Sequence, residues 1–226
     1  MIVSVHQPQY IPWLGFFDKI KKSDCFVFLD QVQYKKREYE NRNKIKSSAG
    51  AHWLTVPVIT KGAYFQKISD VLIDNAQRWQ EKHYKAFEFN YGKAAYFKNY
   101  LPFLEEIYLQ KKWVNLVDLN IFIIKFVLKE LGIGTKIYLE SQVQADGQAT
   151  DRIVNICRKL TCDSYLSGIG GTAYLEEEKF SSAGIKLIYQ DFKHPEYPQQ
   201  FGEFESNLSV MDLLLNCGPQ AGKYFA

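Results

Sequence analysis

The sequence predicts an α/β protein in which a parallel sheet is interrupted by a helical insertion. Three observations predict it. The first thirty residues run strand, turn, helix, strand. The last third returns to that rhythm, and the stretch between them carries apolar residues at helical spacing. The 226 residues suffice for one large core, since single cores commonly grow to roughly 200 residues before splitting.

Ile2-Val3-Ser4-Val5 is a short apolar strand, followed by the breaker-rich turn His6-Gln7-Pro8-Gln9-Tyr10-Ile11-Pro12-Trp13. In the helix after it, positions 13, 16, 17 and 20 share an apolar face. Cys25 to Leu29 is an unbroken apolar run, as a strand buried on both faces requires. Two strands joined by a helix pair in parallel. Residues 31–50 read as a polar, basic loop; His52 to Val58 and Ile68 to Ile73 read as strands. From Asn75 to Gly132 the pattern is helical, with Ala94–Lys111 and Leu116–Leu131 as its clearest segments and Gly132 as a C-cap. Lys136–Leu139 is the next strand, Thr150 an N-cap for Asp151–Leu160, and Ser164–Ser167 a strand leading to Gly168-Ile169-Gly170-Gly171. Thr172–Ala183 is helical, Gly184 stops it, and Ile185–Tyr189 closes the series.

Residues 1–74 are therefore expected to form the first half of the α/β core, with its basic loop at 31–50. Residues 75–133 form a helical wing, and 134–226 the second half plus a tail, all within one domain. The 15 Tyr, 16 Phe and 4 Trp are a heavy aromatic load. Much of it falls at helical spacing in 84–126, where packing explains it.

Charge and hydropathy exclude several function classes. With 28 Lys+Arg against 25 Asp+Glu, the net charge is +3, which argues against a nucleic-acid partner. Mean hydropathy is −0.27, and no apolar run reaches the roughly 18–20 residues of a membrane span. The start lacks the basic and apolar segments of a secretory signal, so a cytoplasmic protein is expected. Cys25, Cys157, Cys162 and Cys217 have no CxxC spacing and read as reduced thiols. His6, His52, His83 and His194 form no ligand pair, so no metal site is expected. There is no GxSxG and no P-loop, and no cofactor is identified.

Ligands of open parallel sheets bind beyond the carboxyl ends of the strands. There the sequence places His6 and Gln7; Asp30 and Gln33; Ser167, Gly168, Gly170 and Gly171; and Asp191 with His194. All are expected on one rim. His6 suits a general base or phosphate contact, or else caps its turn. Asp30 either orients that imidazole or a substrate hydroxyl, or caps a loop. Lys35 to Lys46 is a solvated loop or an anion site; in the second reading Asn41, Arg42, Asn43 and Lys44 face a phosphate or carboxylate. Gly168, Gly170 and Gly171, opening a helix, would offer backbone N–H groups to the same anion.

The run His6 to Ile20 resembles the WbqC-like proteins. So do Asp30-Gln31-Val32-Gln33, Asn41-Arg42-Asn43, Trp53 to Val58, Tyr165 to Gly168 with Gly170-Gly171 and Tyr174-Leu175, and the block Asn207 to Leu214. The resemblance spans nearly the whole chain. It implies a bacterial protein of surface-polysaccharide (O-antigen) biosynthesis, acting as an acyl- or aminoacyl-transferase on a nucleotide- or lipid-linked amino sugar. His6 would then deprotonate the accepting amine and Asp30 orient it. Arg42, Lys44 and the glycine segment would hold a diphosphate, while Gln33, Asn41 and Asn43 read sugar hydroxyls. The partner implied is an anionic small molecule, a nucleotide sugar or acyl donor, and a homo-oligomer is left open.

A fainter similarity, to the nucleotidyltransferase and class I synthetase superfamily, implies a Rossmann-like sheet. Its His-x-Gly-His turn is here His6-Gln7-Pro8-Gln9, without the glycine or second histidine. Two alternatives accompany the transferase: nucleotidyl or adenylate-forming chemistry on the same rim, and a non-catalytic binding protein. The second would use exposed Tyr10, Trp13, Tyr34, Tyr39 and Trp53 to stack on sugars.

Overall fold

A computed structural model describes residues 1–225. The chain opens with β1 (Ile2–His6), α1 (Leu14–Lys21) and β2 (Cys25–Phe28), as apolar spacing predicts. Next come β3 (Arg42–Ser47) and β4 (Gly50–Thr55), then α2 (Trp79–Tyr91), α3 (Phe97–Glu105) and α4 (Leu116–Glu130). The closing third holds β5 (Lys136–Leu139), α5 (Glu140–Val143), α6 (Ala149–Lys159), β6 (Ser164–Ser167), α7 (Glu177–Ser182), β7 (Lys186–Tyr189) and α8 (Val210–Cys217).

Two compact units result. The first comprises Met1–Pro8, Gly15–Val32 and Ile133–Lys193. Its five strands are parallel, in the order β5-β2-β1-β6-β7. The order reverses at β1, whose successor β2 lies on one side and β6 on the other. Alternation along each strand sends side chains to opposite faces. Val3, Val5, Cys25, Val27 and Leu29 cluster with Ile153, Val154 and Cys157 of α6 and Phe180 of α7. The alternate residues Phe26 and Phe28 meet Phe16 of α1, with ring centroids 5.7 and 6.4 Å apart. With helices on both faces of a parallel sheet, this unit is a Rossmann-like α/β fold.

The second unit comprises Gln9–Leu14, Gln33–Gly132 and the chain from His194 onward. Here β3 and β4 form an antiparallel hairpin, in register from Arg42–Thr55 to Ser47–Gly50. The expected aromatic wing is present: Phe87, Tyr91, Phe97, Tyr100, Phe103 and Tyr108 are buried, and Phe103 stacks on Phe122 and Phe126. Phe89, by contrast, faces solvent. Ser209 caps α8 by accepting the N–H of Met211 at 3.2 Å. The buried carboxylate of Asp212 accepts from Tyr91 Oη at 2.7 Å and Gln199 Nε2 at 2.8 Å.

Several elements depart from the sequence reading. The 31–50 stretch is not all loop, because β3 hides among polar residues whose side chains bond inside the unit. Lys46 is buried and its Nζ donates to Gln199 Oε1 at 3.0 Å. Ile68–Asp70 is a 3-10 turn rather than a strand; Ile68 and Val71 bury three residues apart, and Ile73 adds only an isolated bridge to Val58. Gln148, not Thr150, precedes α6; Thr150 is buried inside it, where its Oγ1 accepts the N–H of Glu176 at 3.3 Å. Residues 172–183 divide into a 3-10 turn, Ile169–Ala173, and the short α7. The four cysteines are free thiols.

Candidate functional site

In the first unit, β1 and β6 deliver their carboxyl ends side by side where the strand order reverses. His6 is the last residue of β1, with Gln7 after it. Ser167 is the last residue of β6, with Gly168 after it. Ser4 Oγ ties the strands together by donating to the Leu166 carbonyl at 2.6 Å. The His6 imidazole packs edge-on to Phe16, centroids 5.3 Å apart, and its Nδ1 lies 3.1 Å from the Gln7 carbonyl. A carbonyl only accepts, so Nδ1 carries the ring proton and Nε2 keeps its lone pair. Burial, and then the nearby Lys19 charge, pull His6 down to about 3, against the opposing Gln7 bond. The ring is neutral at physiological pH.

Lys19, on α1, was not a sequence candidate and belongs here. It is 4% exposed, its Nζ donates to the Val5 carbonyl at 3.1 Å, and burial lowers the amine to about 7. The signal was available: Lys19 follows the buried Phe16 by three residues, hence on one helical face.

Asp30 is buried, but its carboxylate is spent on main-chain organisation. Oδ1 accepts the N–H of Ser141 at 2.9 Å, and Oδ2 accepts from Gln31 Nε2 at 3.3 Å. The hydrogen bond given for the His6 imidazole goes to the Gln7 carbonyl, and those given for the Asp30 carboxylate come from Ser141 and Gln31. The glycines also acquire a packing reason. A Cβ at Gly171 would lie 2.0 Å from Ser167 Oγ, whereas one at Gly170 would meet open space. Gly170 and Gly171 lie in a 3-10 turn, Ile169–Ala173, rather than at the start of an α-helix, and the Gly171 N–H donates to the Gly168 carbonyl at 2.9 Å. After β7, the Asp191 carbonyl accepts from Lys22 Nζ at 3.4 Å.

The remaining candidates lie in the second unit. Asn41 Nδ2 donates to the Val56 carbonyl and Asn43 Nδ2 to the Ile11 carbonyl, each at 2.8 Å. These amides brace the hairpin, each committing one of its two N–H donors to a main-chain carbonyl. Gln33 Nε2 donates to the Tyr64 carbonyl at 3.1 Å. His194 Nδ1 is 2.9 Å from the Pro195 carbonyl. Arg42 bonds the Arg37 carbonyl and stands 4.3 Å above the Trp53 ring, with Lys44 Nζ 5.1 Å from that ring. Tyr39 lies 5.8 Å from Trp53, and both are exposed.

Two rings expected at the surface are core instead. Tyr34 is buried, and Tyr10 is fully buried with its hydroxyl 2.8 Å from His83 Nδ1 and 2.6 Å from Tyr108 Oη. Glu40, hidden in the sequence by the charges around it, is 5% exposed and lifted to about 7 by desolvation. Its Oε2, Asn41 Oδ1 and Arg42 Nε are buried without a hydrogen-bond partner among the described residues. No group of three or more metal-ligating side chains occurs among the described residues. None of the helices they form is long and apolar enough to cross a membrane.

Residues 7–224 match the WbqC-like protein family. An uncharacterized protein of Mycobacterium tuberculosis, Rv1507c, is 39% identical over 224 residues, covering 98% of this chain and 96% of its own. No solved structure matches the chain.

Proposed function

The chain belongs to the WbqC-like protein family, and from that premise we propose that it is an acyl- or aminoacyl-transferase acting on the amine of a nucleotide- or lipid-linked amino sugar in surface-polysaccharide assembly. The observation that supports this reading is the neutral imidazole of His6, held by Gln7 so that Nε2 is the free lone pair, at the reversal point of a parallel sheet. The acceptor amine attacks the donor's acyl carbon, forming the C–N bond. Its proton passes to Nε2, and the bond from the acyl carbon to the donor's leaving atom breaks as His6 returns that proton to it. Desolvation makes His6 a weak base, so the proton is taken as C–N bond formation puts positive charge on the attacking nitrogen and acidifies it, rather than beforehand. Within the second unit, taken by itself, Arg42 and Lys44 stack on Trp53 as a cation–aromatic surface.

The test is mass-spectrometric detection of N-acylated product from a panel of nucleotide-linked amino sugars and activated acyl donors. His6→Gln is expected to lower turnover by about 10²-fold or more while leaving the melting temperature near that of the wild type. Undiminished turnover in a folded His6→Gln protein would remove the base from the mechanism. Release of pyrophosphate from Mg-ATP would instead favour adenylate-forming chemistry at this rim. Saturable binding of the sugars with no product from any donor would favour a binding protein.

A further inference from the structure

The transfer chemistry makes no use of Lys19, and Lys19 is the most unusual charge in the first unit. It is 4% exposed, and among the described residues one acceptor, the Val5 carbonyl at 3.1 Å, serves an ammonium with three donors. No carboxylate pairs with it among the described residues. The adjacent Asp18, also buried, is engaged by Lys22 Nζ at 2.9 Å and Gln190 Nε2 at 2.6 Å. The Phe26 ring, 5.8 Å away, offers only a weak quadrupole. A buried cation is ordinarily paired, because desolvation without a counter-charge is among the costlier things a fold can do.

The space beside Nζ is defined by Gly168, just past the end of β6. A Cβ there would lie 3.9 Å from Nζ, so the bare backbone leaves room next to the amine. His6, whose charged form Lys19 disfavours, is a titratable group near this amine. A donor-rich point of positive charge, with a glycine in front of it, is complementary to an oxyanion.

We propose that Lys19 is the receptor for an oxyanion, the phosphate or carboxylate of a ligand entering between the carboxyl ends of β1 and β6, and that this anion supplies the counter-charge the fold omits. The inference deepens the transfer reading by giving its ligand a charge and an anchoring atom. It rests on that reading only for placing the ligand at this rim. Binding of the anion also relieves the suppression of His6, since it cancels the charge that helps hold the imidazole down.

The experiment is thermal melting of the full chain and of Lys19→Met, with inorganic phosphate, pyrophosphate and acetate added separately against sodium chloride at matched ionic strength. In buffer without these anions, Lys19→Met is expected to melt several degrees above the wild type, having lost an unpaired buried charge. At least one anion should raise the wild-type midpoint saturably and leave the variant's unchanged. Response to phosphate and pyrophosphate alone identifies a phosphoryl ligand, and response to acetate a carboxylate. Parallel responses in both proteins, or none beyond the salt control, overturn the proposal.

A second measurement on the wild type stands independently of any variant. Competitive acetylation read by mass spectrometry should show Lys19 protected by the effective anion, relative to exposed Lys85. Equal labelling with and without it refutes the assignment. Neither readout needs turnover, so an absent transferase activity and an absent anion site are told apart.

Discussion

Replacing Glu40 by glutamine should stabilise the protein at neutral pH, by an amount that depends on pH in a defined way. Glu40 is 5% exposed, its Oε2 has no hydrogen-bond partner among the described residues, and desolvation, reinforced by Glu38, lifts the carboxyl from 4.5 to about 7. Its own backbone and Lys35 oppose the shift incompletely. Between pH 4.5 and 7 the folded chain therefore holds a proton that the unfolded chain has released. Stability contributed by the protonated carboxyl is complete below 4.5, falls as pH rises, and is gone above 7. At 1.36 kcal/mol per pH unit, the interval from 4.5 to about 7 makes this roughly 3 kcal/mol. Glutamine has no proton to lose. Denaturant unfolding of both proteins at intervals from pH 4.5 to 7.5 measures the difference, which cancels every other titrating group. The variant is expected to gain on the wild type by roughly 3 kcal/mol across that window, with no further change above it. A difference that stays flat with pH would show that Glu40 is solvated, and would refute the reasoning.

Two further perturbations probe the second and first units. Tyr10→Phe removes a hydroxyl bonded to both His83 and Tyr108; it leaves two buried polar atoms unpaired and should cost about 1–3 kcal/mol in denaturant unfolding. A cost below 0.5 kcal/mol, well under that range, would mean the pair finds other partners. Gly171→Ala drives a methyl group to 2.0 Å from Ser167 Oγ and 2.9 Å from Leu175 Cδ1. It should cost about 1–3 kcal/mol, the usual penalty of overpacking. Adding Ser167→Ala should recover part of that loss, and strict additivity of the two changes would exclude the clash.

The legibility of this protein in its sequence follows the range of the forces involved. β1, α1, β2, β5, β6 and β7 are close to where apolar periodicity places them; β1, β2 and β6 are largely buried, as a strand covered on both faces requires, while the edge strands β5 and β7 stay partly exposed. The positions of His6, Ser167 and Gly168 at strand ends follow from those boundaries. β3 escaped because Arg42-Asn43-Lys44-Ile45-Lys46-Ser47 shows almost no apolar alternation. Its burial is made tolerable by distant partners: Gln199 for Lys46 and the Ile11 carbonyl for Asn43. Asp30 looked catalytic because a carboxylate at a strand end often is; its commitment to Ser141, 111 residues away, is invisible to any local pattern.

The sequence by itself determined the class of the fold, the helical character of the stretch between its halves and the strand ends that could carry chemistry, since backbone periodicity and turn chemistry act over a few residues. Tertiary structure decided which charges are real in a chemical sense. It buried Lys19 with one carbonyl for company, held His6 neutral, and left Glu40 able to titrate near neutrality. It also set the tail from His194 onward against the wing and the hairpin in one unit. The physical reason is that desolvation depends on everything that surrounds an atom, and most of what surrounds these atoms comes from far along the chain.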